Sequence, residues 1–489
     1  MRFDRGSIAL VLDAHTPFVS SAGTESPASL ENFFTEITQT YLPLLNCLDE
    51  LARQEVRYRL TISFSPTLLQ MIGDPGYQVA YERYLDDQLA LEQPLARKIQ
   101  IEEAARLWRE VYQGRIAGGF AGLQRSGHLE LLATSATRAC LPLLAATPGA
   151  LEAQIRNGVI EHQRMFRARP TGFWLPETAY APGLDDLLIA EGLQYTFVQQ
   201  ETLSATGEPT PLSVRCPSGL RVYGLNQALA GRIAHGSRGY PATPVFFNAT
   251  GRTTPYDGDR ARWVAGEQAR EFAEALQTEV VKHGHLSREP VICCALPAAI
   301  LGTAWLEGID WLASLLRATS SSASDIRSAT LSEPPPASPG DKIAYPETGA
   351  RSESGTLTDW IHRENDWIYP ELHNAAEHLA RGFAADIDHR GLARRALVQA
   401  ARELFLAQQL DLAAAIADET LPASQRFLAH LTACHRLIEQ AENGAVDSAE
   451  LSALETTDRI LPALRPRDLQ PRRDLSPTGH ARAPASGAR

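Results

Sequence analysis

Apolar residues run together in short blocks along the first three hundred positions of this chain. IALVL (8–12), YRLTISFSP (58–66), HLELLAT (128–134), TGFWLP (171–176), LQYTFVQ (193–199) and VICCALP (291–297) each read as a strand buried on both faces. Between them, 30–55, 76–113, 149–165, 183–191 and 260–284 carry apolar residues at three- and four-residue spacing, the mark of helices. Buried strands alternating with helices predict parallel βα units and a barrel of the triosephosphate-isomerase type or a relative of it. On such a barrel, functional groups gather at the C-terminal strand ends, where Asp13, His15, Glu177 and Pro297 fall.

The pattern then changes twice. Segment 76–113 reads as an inserted helical pair, and 317–357 is rich in Ser, Ala and Pro, a linker or loop. From 358 to 445 helical spacing is continuous, with Ala396, Leu397, Ala400 and Leu404 on one face, so an all-helical C-terminal domain is expected. The Arg- and Pro-rich residues 465–489 are expected to be a disordered tail. The domain reading is therefore a barrel over 1–316, the linker, the helical domain and the tail.

Length and charge narrow the partners. A chain of 489 residues exceeds one ordinary core. A net charge of -12 argues against general nucleic-acid binding, which needs a basic face, and suits neutral partners. The six cysteines include no CxxC pair and read as reduced thiols of a cytoplasmic protein, with adjacent Cys293 and Cys294 facing opposite ways on a strand. No run approaches the roughly 20 apolar residues of a membrane span.

Glu177 draws attention because GFWLPETAY (172–180) delivers one carboxylate between Trp174 and Tyr180 at a strand end. Together with DAHTPF (13–18), GHLELLATSATRACLPLL (127–144), GYP (239–241), WLEGIDW (305–311), ENDWIYPELH (364–373) and LVQAARELFLAQQLD (397–411), it resembles the ordered motifs of glycoside hydrolase family 57. The likeness is to the α-1,4-glucan branching enzyme group of that family and runs to about residue 440. It implies an incomplete (β/α)7 barrel with a small helical insertion and a C-terminal helical domain. It also implies a retaining mechanism, in which two carboxyl groups about 5–5.5 Å apart serve as nucleophile and acid/base. An α-glucan is the implied partner, with no cofactor and no metal.

Carried over residue by residue, the resemblance makes Glu177 the nucleophile. Trp174, Tyr180, Tyr240, Trp305 and His15 become candidate sugar-binding groups, with Tyr240 on a loop that would cover the cleft. The acid/base motif reads ALPAAILGTAWLEG (295–308), which puts Pro297 at the aspartate's position, Ala299 at a glutamate's, and Thr303 and Ala304 where His and Trp are expected. Residues 291–304 contain no Asp or Glu, so no shift of register supplies the acid. General-acid help of ~10²–10⁴-fold is thereby forfeited. Further departures from the motifs are Asp13 and Arg138 in place of histidines, Ala234 in place of a tryptophan, and Leu410-Asp411-Leu412 in place of Ser-Asp-Trp. The sequence thus predicts a retained sugar-cleaving fold with an altered or disabled site. The alternative is an active glucan transferase or hydrolase with a substitute acid, for which Asp13 at a neighbouring strand end is the candidate. A metal pair of Asp13 and His15 lacks a third ligand, and His283 and His285 read as solvated.

Overall fold

The computed structural model describes residues 6–20, 27–209, 211–249, 251, 255–286, 288–321, 326–332, 341–384 and 391–469. Of the expected tail, everything from 470 onward lies outside them, as do 333–340 of the Ser/Pro-rich stretch.

Seven parallel strands close on themselves in the order β1 (Gly6–Ala14), β2 (Leu60–Phe64), β3 (Leu129–Thr134), β4 (Gly172–Trp174), β5 (Tyr195–Gln199), β7 (Arg221–Leu225) and β8 (Val291–Pro297), with β8 returning to β1. Between β5 and β7, β6 (Val214–Arg215) turns back antiparallel on β7. A last short strand, β9 (Ile326–Ser328), lies against the start of β1. Three of these, β6, β7 and β9, carry no long apolar run and are not among the expected strands. Pairing is longest where β1 meets β8, falls to two positions on each side of the short β4, and is sparsest between β7 and β8, where Leu225↔Cys293 is the paired position.

Alternation along β1 sets its two faces. Ala9 and Val11 point into the barrel with Leu132, Trp174, Phe197 and Leu225, whereas Ile8, Leu10 and Leu12 face the surrounding helices. The same parity turns Asp13 inward at the mouth, and it separates Cys293 inside from Cys294 outside. Both faces are buried, which explains the unbroken apolar run.

Between β2 and β3, helices Pro75–Ala90 and Leu95–Arg106 pack together, with Tyr81 edge-on to Trp108 at 4.7 Å. Helix Pro148–Phe166 comes so near β3 that a Cβ on Gly158 would lie 1.8 Å from the Thr134 carbonyl oxygen. The C-terminal helices Ile368–Ala384, Gly391–Ala407, Leu410–Ala417, Leu421–Glu442 and Ser448–Thr457 share one continuous core with the barrel's outer layer. They dock on its mouth side through Thr137 Oγ1 to the Phe405 carbonyl (2.6 Å) and Gln154 to Gln408 (2.8 Å).

Residues 341–361, part of the expected linker or loop, lie along the barrel. Asp341 pairs with Arg221 at 3.0 Å and Arg288 at 2.9 Å, Arg215 N–H donates to the Lys342 carbonyl, and Gly349 bridges Tyr180. This path brings Arg351 to the strand ends.

Candidate active site

Strand ends deliver the groups and two unusual turns aim them. After β3, Arg138 adopts a left-handed backbone (φ 56°); after β4, Glu177 and Thr178 do so in succession (φ 50° and 49°). Each such residue costs on the order of 1–3 kcal/mol unless its surroundings over-determine it. Here they do. Thr178 N–H donates to the Leu175 carbonyl (2.8 Å), Ala179 N–H to Pro176 (3.0 Å), and Arg351 N–H to the Glu177 carbonyl (2.7 Å).

The side chains form a four-member ionic chain. Arg138 Nη1 donates to Asp13 Oδ2 and its Nη2 to Glu177 Oε1, both at 2.6 Å. Arg351 takes the other Glu177 oxygen with Nε at 2.8 Å and Nη2 at 2.6 Å. Two carboxylates meet two guanidiniums, and all but Arg351 are buried. Burial alone would pull Arg138 toward deprotonation, but the charges of Asp13 and Glu177 outweigh it and hold the guanidinium charged.

His15 belongs to a neighbouring set. It bonds Ser65 Oγ at 2.9 Å and Asp411 Oδ2 at 2.8 Å, so it ties β1 to the helical region. Burial would raise the Asp411 carboxyl, yet His15 and then Arg138 draw it down to about 2. Thr16 Oγ1 donates to Glu36 at 2.6 Å, and burial holds the Glu36 carboxyl above its usual range.

Two cavities flank the ionic chain. One, about 370 Å³, lies between Phe18, Glu36, Asp411 and Leu412. The other, about 210 Å³, opens at the mouth against Trp174, Leu225, Gln227, His235, Pro297 and Arg351. Among the described residues no Asp or Glu lines the second. Ala234, where the motif calls for a tryptophan, is on its wall. Pro297 is register partner to Asp13, so a carboxylate stands beside the acid/base position on the adjoining strand, already bound to Arg138.

The sequence-derived aromatic candidates divide. Trp174 does line the mouth, although its ring is buried within the barrel. Tyr180 does not reach it: the ring is wholly buried in the outer layer, with its hydroxyl 3.3 Å from Asp185. Tyr240 and Trp305 pack on each other at 6.2 Å and on Trp311, in a buried aromatic cluster where a sugar has no access. These three corrections share one cause, since each ring fills a gap between helix and barrel. Arg138 was noticed in the sequence only as a departure from a motif; the fold makes it the hub. Arg351 escaped sequence reading altogether, being an arginine in a Ser-rich stretch with no motif around it.

Comparison with known proteins agrees with this fold. Residues 9–248 match the sequence model of Glycosyl hydrolase family 57, and 371–468 match that of the 1,4-alpha-glucan branching enzyme C-terminal region. A 1,4-alpha-glucan branching enzyme of Thermococcus kodakarensis is 27% identical over 93% of this chain and 77% of its own length. Among solved structures, a GH57-type branching enzyme from Pyrococcus horikoshii superposes with a TM-score of 0.85 at 24% identity, covering 95% of this chain and 96% of that one. The alpha-amylase AmyC from Thermotoga maritima gives 0.83 at 27% identity, covering 95% and 99%. With matching models at both ends, a closed seven-strand barrel and a docked helical region, the chain belongs to glycosyl hydrolase family 57, in its branching-enzyme-like group.

Proposed function

We propose that this protein is a catalytically impaired member of its family, which holds an α-glucan without efficiently cutting or branching it, in the cytoplasm. One observation carries the reading: both oxygens of Glu177 are held by guanidiniums while the cavity beside it, walled by Pro297, has no carboxylate. A retaining transfer needs a free nucleophile oxygen and a proton donor for the departing sugar oxygen. Arg138 and Arg351 occupy the first requirement, and Pro297 cannot meet the second. Trp174 and Gln227 at the mouth, with the larger cavity by Phe18 and Leu412, leave surfaces on which a neutral glucan can rest. Six unpaired cysteines support the reducing compartment.

A second reading has its own support. Asp13 and Glu177 bond the two terminal nitrogens of one guanidinium, so a substitute acid stands within reach if Arg138 moves aside. Incubation with amylose separates the two. The impaired reading expects amylose or glycogen binding in affinity electrophoresis, with no new α-1,6 linkages or reducing ends. Products that vanish in Glu177→Ala would establish the second reading instead, and neither products nor binding would defeat both.

A further inference from the structure

Away from the mouth, the helical region gathers ligand-type side chains from three places. Glu403 lies on helix Gly391–Ala407, His430 on Leu421–Glu442, and Asp458 just past Ser448–Thr457. One ligand atom from each falls within 4.8 Å of the other two. Nothing in the linear sequence joins them, because 27 residues separate even the nearest pair.

From this juxtaposition we propose a structural divalent-metal site, of the kind that takes zinc, formed by Glu403, His430 and Asp458, with solvent completing the coordination. His430 Nδ1 and Glu403 Oε2 stand 2.7 Å apart and share a proton. In a tetrahedral zinc site with bonds of about 2.0–2.1 Å, ligand atoms lie about 3.3 Å apart. The His–Glu pair therefore opens slightly as the ion replaces the proton between them, which leaves to solvent, and the remaining separations close by at most about 1.5 Å. The carboxylate is already oriented for this: Gln399 donates to Glu403 Oε1 at 2.8 Å and is itself held by Arg402 at 3.0 Å. Such outer bonds fix ligating carboxylates in metal sites.

The ion would tie together helices Gly391–Ala407 and Leu421–Glu442 and the residues just past Ser448–Thr457.

The test uses the full chain, stripped with a chelator and then dialysed against zinc or cobalt. One metal per chain by elemental analysis is expected, with the visible bands of four-coordinate cobalt and a thermal midpoint raised by several degrees. His430→Gln and Asp458→Asn should each weaken retention by at least tenfold while keeping the native circular dichroism spectrum. His378→Gln, which disrupts the other histidine pair (His378 and His435, 2.7 Å apart), should change nothing. The proposal is overturned if the wild type retains no metal, if both ligand variants retain it fully, or if His378→Gln is the one that loses it. None of these outcomes bears on glucan binding.

Discussion

Replacing Arg138 by methionine tests the ionic chain most directly. The substitution keeps an unbranched apolar stem and removes a buried cation that serves two carboxylates at 2.6 Å each. Glu177 retains Arg351, but Asp13 loses the ionic partner it has among the described residues while staying about 5% exposed. Stranding a charge of this kind costs roughly 3–5 kcal/mol. Urea unfolding followed by tryptophan fluorescence should show a loss of that size. The double variant Arg138→Met/Asp13→Asn should recover stability relative to the single one, because the second change removes the charge the first left alone. Coupling of roughly 1–3 kcal/mol is the expected scale for contacting residues. A single-variant loss below about 1 kcal/mol, the range of exposed pairs, would refute the reasoning. So would losses that simply add.

Three further outcomes follow from the same geometry. Pro297→Asp combined with Arg138→His should raise cleavage of an unactivated malto-oligosaccharide, whose leaving sugar oxygen needs a proton, by ~10²-fold or more, the lower end of general-acid help; no gain in a folded double variant would mean the missing acid is not the deficit. The His15–Asp411 pair should contribute stability that is fully present above the ordinary carboxylate range, near pH 4, and is lost as pH falls through about 2; Asp411→Asn should therefore be destabilised at pH 5 and converge on the wild type in strong acid, as measured by unfolding across pH. Burial holds His162 down to about 4, so acidification from pH 6.5 toward 4 protonates the unfolded chain first and costs stability. His162→Phe should blunt that loss, seen as a flatter dependence of the unfolding midpoint on pH.

What the sequence disclosed follows from how local each signal is. Six of the seven barrel strands and the helical C-terminal region were legible because burial on two faces writes an apolar block, and one buried face writes a 3.6-residue period. Strand β7 was missed because Arg221 and Gly224 interrupt its apolar pattern; the arginine is neutralised by Asp341, 120 positions away. The same reason hid the site's wiring. That Arg138 bridges Asp13 and Glu177, and that Arg351 arrives from a stretch resembling a linker, depend on long-range pairing, which leaves no period. The aromatic assignments failed differently. Tyr180, Tyr240 and Trp305 sit in motif positions, but a motif fixes order along the chain and says nothing of which way a ring points.

The sparsely paired join between β7 and β8 has a mechanical consequence. A fully laced barrel has no free border, whereas this one carries two partly unlaced strands facing each other, with Leu225 on one side and Ala295 and Pro297 on the other. Thermal opening should concentrate there, and amide hydrogens of 222–225 and 293–296 should exchange with deuterium sooner than those of β1 and β2. Because the mouth cavity sits on that join, and Arg351 lines it while Asp13 pairs with Pro297 on its edge, widening of the barrel there would be felt by the ionic chain.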